Sequence, residues 1–237
     1  MVRFYNGAPV WHFVKVGAIT SDQMYRIEEN GHSGFGMRRF LMMENAGHGI
    51  SDLVAGRFRR LKNKRVVAVC GTGNNGGDGF VASRHLTGHG ANVTVILLGN
   101  PSDLKSEEAR LNWGIIEKMD SVEIMFGYEI TADMKKRIMT ARVILDNMFG
   151  TGIKREILDP HASAMDLINE SRAFVLAVDV PSGMDPNTGK TYNKCVRADA
   201  TITFHRMKKG LAGRKKLTGP VHVERIGIPP EAERGVL

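Results

Sequence analysis

Residues 66–79 constrain the fold of this chain more than any other stretch. Residues 66–70 form an apolar run that predicts a buried β-strand, and five glycines follow before helical spacing resumes at Phe80. Glycine lets a ligand approach the backbone closely and permits a positive φ, while the free N–H groups that begin a helix attract anions. A strand, a glycine-rich loop and a helix in this order therefore predict a phosphate-binding site.

The loop also matches a known dinucleotide-binding pattern, although incompletely. Gly71, Gly73 and Gly76 satisfy G-x-G-x-x-G. A conventional site needs an acidic residue about 20 positions later to hold the ribose hydroxyls, but the second predicted strand ends in Gly99 and Asn100. A nucleotide bound here is therefore not held as in a dehydrogenase, and a tight turn without a ligand is the alternative.

Two helices are predicted before this strand. Thr20 and Gln23 have the spacing of a capping box at the start of the first helix, which a loop over residues 31–36 ends. The second helix runs from about residue 37 towards residue 61, with apolar side chains at spacings of three and four.

From residue 65 onward, apolar strands alternate with amphipathic helices. This alternation predicts an α/β fold, a Rossmann-like three-layer αβα sandwich with a mostly parallel central sheet. The chain has 237 residues and no internal repeat, which favours an N-terminal extension over residues 1–19 and a single domain over residues 20–237. We expect strands near residues 65–70, 93–98, 122–126, 142–146, 174–179, 199–204 and 221–226, and helices near residues 78–88, 103–118, 131–140 and 160–170.

The composition argues against several classes of protein. No apolar run reaches the roughly 20 residues that cross a membrane, and no signal peptide is recognisable, so we expect a cytoplasmic protein. Cys70 and Cys195 are too few and too far apart for a disulfide framework or a thiolate metal site. The net charge of +8 suggests nucleic-acid binding, but the basic clusters at residues 57–65 and 208–216 lack interleaved aromatic residues. A solvated basic face, or attraction of a phosphate-rich small molecule, is favoured instead.

Polar residues follow the apolar runs of several predicted strands. Ligands of such sheets lie beyond the carboxyl ends of the strands. The fourth strand runs into Asp146, the fifth runs into Asp179 and then Ser182, and Asn75 lies in the glycine loop. A single aspartate at a strand end is usually a turn former, but several such loops together favour a site. The oxygens of Asn75, Asp146 and Ser182 suit an alkali or alkaline-earth cation rather than zinc.

Lys208 follows the sixth strand at the same edge of the sheet. Its position suits a phosphate contact or a proton donor. A catalytic-serine interpretation of Ser182 fails because the G-x-S-x-G elbow is missing.

These stretches together resemble the NAD(P)H-hydrate epimerase family, also called the YjeF N-terminal domain family. The matching motifs appear in family order and extend over roughly residues 20–228. They are residues 43–47 (MENAG), 71–79, 146–152, 179–189 and 198–211.

The resemblance implies an isomerase that interconverts the R and S forms of hydrated NADH and NADPH (NADHX and NADPHX) for repair of the nicotinamide cofactor. It implies a homodimer that works with a separate dehydratase specific for the S form, and one K⁺ per subunit held by Asn75, Asp146 and Ser182. It places Glu44 and Asn45 near the active cleft. The residues implied to bind substrate are Asn74, Asn75, Gly76, Gly77, Asp78, Gly150, Thr151, Gly152, Ile153, Lys154, Arg155, Glu156 and Asp179.

The chemistry of the hydrate suggests the catalytic groups. A carboxylate can protonate the departing hydroxyl, stabilise the planar cation that remains and take a proton from the attacking water. Asp179 is the first candidate, with Asp78 and Lys208 as further ones. The alternative function is a non-catalytic Rossmann-like binding or scaffold module in RNA metabolism, and a conventional oxidoreductase is disfavoured by the missing acidic residue.

Overall fold

The computed structural model describes residues 17–58, 60–152 and 156–237, together with the backbone of two short N-terminal strands. These strands, β1 (Phe4–Tyr5) and β2 (Ala8–Pro9), pair antiparallel. Ile19 is buried and forms a parallel bridge with Lys208, with its N–H donating to the carbonyl of Met207 at 2.8 Å. The division into an extension over residues 1–19 and a domain over residues 20–237 stays a prediction.

Two helices precede the main sheet, as predicted. α1 (Ser21–Phe35) has the expected capping box: Oγ1 of Thr20 accepts the N–H of Gln23 at 3.1 Å, and the Gln23 side chain accepts the N–H of Thr20 at 2.9 Å. The predicted end of α1 at Gly31 is wrong. Gly31 is buried in the helix, where a Cβ would lie 3.3 Å from the side chains of Met42 and Ile228, and the helix ends instead at Gly36, whose φ of +68° suits a glycine cap. α2 (Arg39–Arg57) follows.

The seven predicted strands are confirmed, and all of them run parallel. The order in the sheet is β5-β4-β3-β6-β7-β8-β9, so the chain reverses its direction of winding between β3 and β6. Such a switch point opens a crevice at the carboxyl ends of the two strands. The strands are β3 (Arg65–Cys70), β4 (Asn92–Leu98), β5 (Val122–Gly127), β6 (Val143–Asn147), β7 (Phe174–Val178), β8 (Ala200–Phe204) and β9 (Val221–Glu224).

Helices cover both faces of the sheet, which confirms the predicted three layers. One apolar core joins the sheet to α1, α2, α3 and α4, and a second core joins the opposite face to α5 and α6. Within the described residues, no helix is long and apolar enough to cross a membrane. The remaining helices are α3 (Asn74–Gly88), α4 (Glu107–Ile116), α5 (Ala132–Met139), α6 (His161–Glu170) and the short α7 (Lys215–Thr218).

The glycine-rich stretch differs from its predicted form. α3 begins at Asn74 rather than near residue 78, so only residues 71–73 form the loop. The five glycines of this stretch all have negative or extended φ; close approach, rather than left-handed backbone, explains them. A Cβ added to Gly76 would lie 1.9 Å from the carbonyl oxygen of Gly71, so only glycine allows the loop to fold back on its helix.

Candidate functional site

A cavity of about 870 Å³ lies at the switch point, beyond the carboxyl ends of β3, β6 and β7. α1 forms one wall, and the loops that follow the strands form the others. Its volume lies within the range of small-molecule sites. The lining residues are Ser21, Met24, Tyr25, Glu28, Thr72, Gly73, Asn74, Asn75, Asp78, Lys105, Ser106, Met148, Phe149, Gly150, Thr151, Gly152, His161, Asp179, Phe204 and Lys208.

A buried ion pair lies against this cavity. Nζ of Lys208 is 2.7 Å from Oδ1 of Asp179, and only 1% of the lysine side chain and 13% of the aspartate side chain are exposed. The lysine also donates to the carbonyl of Phe204 at 2.9 Å, and Oγ1 of Thr203 donates to Oδ1 of Asp179 at 3.1 Å. Lys208 and Thr203 therefore fix the orientation of the aspartate and leave Oδ2 facing Gly150, which also lines the cavity.

The backbone of Asp179 is held in an unusual conformation. Its φ is +67°, in the left-handed region that non-glycine residues rarely adopt. A hydrogen bond from its N–H to the carbonyl of Ile202, at 2.7 Å, holds this conformation at the end of β7. Strained residues of this kind concentrate at functional sites, where the surrounding structure enforces them.

The start of α3 supplies an anion-binding feature to the same cavity. Gly73 is the N-cap and has no side-chain hydrogen bond to the first turn. Gly73 and Asn74 both line the cavity, so the free N–H groups and the positive end of the helix dipole lie beside it. The exposed Lys105 adds a positive charge at the cavity wall.

Three polar side chains lie at the carboxyl ends of neighbouring strands: Asp146 near the end of β6, Ser182 after β7, and Asn75 in the first turn of α3 after β3. The N–H of Ser182 donates to Oδ2 of Asp146 at 2.8 Å, and the N–H of Phe149 donates to Oγ of Ser182 at 2.9 Å. Within the part of the chain that the structure describes, Oδ1 of Asp146 and both amide atoms of Asn75 are buried with no hydrogen-bond partner. Unpaired buried acceptors are costly, so they indicate a missing positively charged or hydrogen-bonding group.

Burial also changes the acidity of this region. It raises the pKa of Asp146 to about 6, against hydrogen bonds from Ser182 that lower it. A cation beside Asp146 would offset this effect. Among the described residues, no group of three or more His, Cys, Asp or Glu side chains is placed to hold a metal ion. A cation would therefore depend on one carboxylate together with amide and hydroxyl oxygens, a set that suits K⁺ better than zinc.

Two more carboxyl groups face the cavity. Burial raises the pKa of Glu28 to about 7, and it holds the pKa of Asp78 well above its usual range, with a further increase from the negative charge of Asp179. Among the described residues, neither carboxyl group has a hydrogen bond or an ion pair. Carboxyl groups that are partly buried, unpaired and shifted towards neutral pH are typical of functional sites.

A smaller cavity of about 90 Å³ adjoins the first one. A space of this size holds roughly three water molecules. Glu28 and Asp78 line both cavities and so lie where the two meet. The other lining residues are Arg39, Met42, Met43, Ala46, Asn74, Glu108, Phe204 and Ile226.

The structure brings most of the predicted site residues to one place. Of those implied to bind substrate, seven line the large cavity: Asn74, Asn75, Asp78, Gly150, Thr151, Gly152 and Asp179. Gly76 and Gly77 are buried inside the first turn of α3, and Glu156 is exposed and does not line the cavity. Ile153, Lys154 and Arg155 lie outside the described residues.

The interpretation of the MENAG motif needs a correction. Glu44 forms ion pairs with Arg84 and His85, and the Asn45 side chain donates to the carbonyl of Ile226 at 2.9 Å. Neither residue lines either cavity. Met43 and Ala46 are the members of the motif that line the smaller cavity.

Sequence reasoning missed Glu28. The signal was present, because this acidic residue lies on the apolar stripe that Met24, Ile27 and Gly31 bury against the core. A charged residue in such a stripe is rarely buried without a reason.

Known proteins are similar to this chain in sequence and in fold. The family model described as YjeF-related protein N-terminus matches residues 40–210. The NAD(P)H-hydrate epimerases of Nitrosopumilus maritimus and Cenarchaeum symbiosum are 49% and 50% identical over 219 residues, which cover 92% of this chain and 99% of each relative. A bifunctional NAD(P)H-hydrate repair enzyme of Pyrobaculum aerophilum is 44% identical over 91% of this chain and 43% of its own length. The crystal structure of yeast ynu0 has the same fold, with a TM-score of 0.75 and 22% identity over 86% of both chains. The chain belongs to the family of YjeF-related protein N-termini.

Proposed function

We propose that this chain is an NAD(P)H-hydrate epimerase, an isomerase that interconverts the R and S forms of NADHX and NADPHX. The observation that carries the proposal is the buried pair of Asp179 and Lys208 beside a cavity that also receives the N-terminus of α3. One end of this cavity suits a pyrophosphate and the other suits a developing positive charge. Relatives of nearly full length bear the name of this activity.

The substrate is oriented by the charges of the cavity. The pyrophosphate binds at the start of α3 beside Gly73, where free N–H groups point outward, and Lys105 adds attraction. The hydrated nicotinamide ring then extends towards Asp179. Gly150 has no side chain, which leaves space beside the aspartate for the ring.

The reaction exchanges water at C6 of the nicotinamide ring. When the C6 hydroxyl is protonated, the C6–O bond breaks, the lone pair of the ring nitrogen forms a C=N double bond, and a planar cation remains. A water molecule that adds from the other face gives the other epimer. The Asp179 carboxylate stabilises the cation by charge and accepts a proton from the attacking water, while Lys208 and Thr203 hold that carboxylate in place. Asp78, whose pKa burial holds well above its usual range, donates a hydrogen bond to the substrate.

We assign K⁺, one ion per subunit, to the oxygens beneath the cavity. Asn75, Asp146 and Ser182 would hold it, and the unpaired oxygens of Asn75 and Asp146 support the assignment. A bound cation supplies positive charge that offsets the buried carboxylate and ties the loops after β3, β6 and β7 together.

The partners follow from the same assignment. The bifunctional relatives support functional coupling to an NAD(P)HX dehydratase, which we propose to be a separate protein acting on the S form. A homodimer and a cytoplasmic location complete the proposal, and the free thiols of Cys70 and Cys195 suit a reducing compartment. The relatives described above are named as enzymes, so the alternative of a scaffold module in RNA metabolism is not supported.

A coupled assay tests the proposal. R-NADPHX is mixed with a dehydratase specific for the S form, and the return of NADPH absorbance is followed with and without this protein. We expect the protein to remove the lag that spontaneous epimerisation imposes. Asp179→Asn should lose this effect while keeping its folded circular dichroism spectrum. An unchanged lag with the native protein would contradict the proposed activity.

A further inference from the structure

We propose that Glu28 of α1 is a second catalytic residue, the general acid that protonates the C6 hydroxyl on the face of the ring opposite to Asp179. The inference rests on the proposed function and names a group that the sequence motifs do not include. It follows from the position of α1, from the absence of any partner for this carboxyl group among the described residues, and from the smaller cavity beside it.

The stereochemistry requires chemistry on both faces of the ring. Water leaves from one face of C6 and adds to the other, so a single fixed carboxylate can serve only one of the two events well. Asp179 enters the cavity from the tip of β7, where Lys208 and Thr203 hold it. Glu28 enters from α1, which forms a different wall. A ring bound between α1 and the strand tips presents one face to each carboxyl group.

The two groups also suit opposite roles. Asp179 is the anionic half of an ion pair, which favours a role as base. Glu28 has no hydrogen bond or ion pair among the described residues, and the charged groups that face it are Lys208, Asp179, Asp78 and Arg39. Burial raises the pKa of Glu28 to about 7, so a proton is available at neutral pH and can also be released. The pKa of Asp78 lies well above its usual range, which suits a carboxyl group that stays protonated.

The proton balance of the step is simple. Glu28 transfers its proton to the C6 hydroxyl, the C6–O bond breaks, and water leaves with the bonding electron pair. A second water attacks the cation from the Asp179 side, its oxygen forms the new C6–O bond, and its proton moves to Asp179. The opposite conversion reverses these transfers, and solvent in the cavity returns the proton between turnovers.

The smaller cavity gives the leaving water a place to go. It opens beside Glu28, is lined by Arg39, Asn74, Asp78 and Glu108, and holds roughly three water molecules. Water released next to Glu28 can therefore move into this smaller cavity and does not have to pass the bound substrate.

The test compares Glu28→Gln with Asp179→Asn in water enriched in ¹⁸O, starting from each pure epimer. Asp22→Asn, an exposed substitution on the same helix, is the matched control and should behave as the native protein. We expect Glu28→Gln to lower interconversion about 100-fold or more. Residual ¹⁸O exchange should be confined to one epimer in Glu28→Gln and to the other epimer in Asp179→Asn, because each variant keeps the acid–base group of one face.

If Glu28 only positions other groups, Glu28→Gln would lower ¹⁸O exchange of both epimers equally, and this result would overturn the proposal. Glu28→Gln activity within threefold of the native rate would also overturn it. If exchange is too slow to detect in both variants, Glu28→Asp decides. Restoration of at least tenfold over the glutamine variant supports an acid, and no restoration overturns it. An inactive native protein would instead contradict the proposed function itself.

Discussion

Gly150 leaves open the space directly beside Asp179. A Cβ added to Gly150 would lie 3.3 Å from Oδ2 of Asp179 and 3.5 Å from Cβ of Asn75. The glycine therefore stands between the carboxylate and the first turn of α3, at the point where the two polar parts of the cavity meet. The ring of the substrate needs this space if Asp179 acts on it.

Gly150→Ala tests this relationship. We expect the added methyl group to lower kcat/KM by about 100-fold, because a displacement of roughly 1 Å at the reacting atoms has an effect of that size. The free energy of unfolding should change by less than about 1 kcal/mol, since the neighbouring atoms need to move only slightly. Steady-state kinetics and urea denaturation measure the two quantities. Gly114→Ala, where a Cβ meets nothing within 4 Å, is the control. Equal kinetics for the two variants would show that the ring does not occupy this space.

The ion pair of Lys208 and Asp179 should contribute to stability as a unit. Lys208→Met leaves the aspartate charged and without its main partner, so we expect a loss of about 3 kcal/mol in the free energy of unfolding. Adding Asp179→Asn should recover about 1–3 kcal/mol of this loss, which is a typical coupling energy for two charged groups in contact. Urea denaturation of the two single variants and the double variant measures it. Lys209→Met, at an exposed neighbouring lysine, should change little. Simple additivity would contradict the pairing.

The raised pKa of Glu28 predicts a pH dependence of stability. Its ordinary value is 4.5 and its folded value is about 7, so between these values the folded protein binds more protons than the unfolded chain. The contribution of Glu28 to the free energy of unfolding is therefore largest below about pH 4.5 and is lost as the pH rises to about 7. Glu28→Gln should be more stable than the native protein at pH 8 by on the order of 3 kcal/mol, and the difference should vanish below about pH 4.5. Thermal denaturation across this range measures the effect, and a pH-independent difference would contradict it.

The same group predicts the alkaline limb of activity. Because Glu28 must carry a proton to act as an acid, kcat/KM for the R to S conversion should fall above about pH 7. A profile of kcat/KM from about pH 5.5 to about pH 9 measures this fall. Asp22→Asn should keep the limb, because this residue is exposed at the start of α1. A profile that stays flat to the alkaline end would mean that Glu28 is not the acid.

Potassium should stabilise the protein through Asp146. We expect K⁺ to raise the melting temperature, with a gain of about 2.7 kcal/mol when its concentration is 100 times the dissociation constant. Asp146→Asn removes the one carboxylate among the three proposed K⁺ ligands and should abolish the K⁺-dependent rise in melting temperature. Thermal shifts in KCl and in tetramethylammonium chloride at equal ionic strength separate binding from screening. The same shift in both salts would contradict a specific site.

The fold and the strand tips could be predicted because their signals are local. The apolar run ending at Cys70 and the polar turns after β6 and β7 identify parallel strands, whose carboxyl ends must share an edge. Hence Asp146 and Ser182, 36 positions apart, are hydrogen-bonded at 2.8 Å as neighbouring tips require. Glu28 could not be placed in this way, because no local pattern shows that α1 folds over the strand ends. The start of α3 at Asn74 was hidden for another reason: its glycines resemble a loop, and only their close packing makes them helical.

Oxygen exchange by the native protein decides whether water leaves and re-enters at C6 beside Asp179. Pure R-NADPHX is incubated in water enriched in ¹⁸O, and the S epimer is separated and weighed by mass spectrometry at early times. Each new S molecule should carry one ¹⁸O at C6, and Asp179→Asn should form none above the rate without protein. An S epimer that forms rapidly but keeps its original oxygen would show that the epimers interconvert by another route.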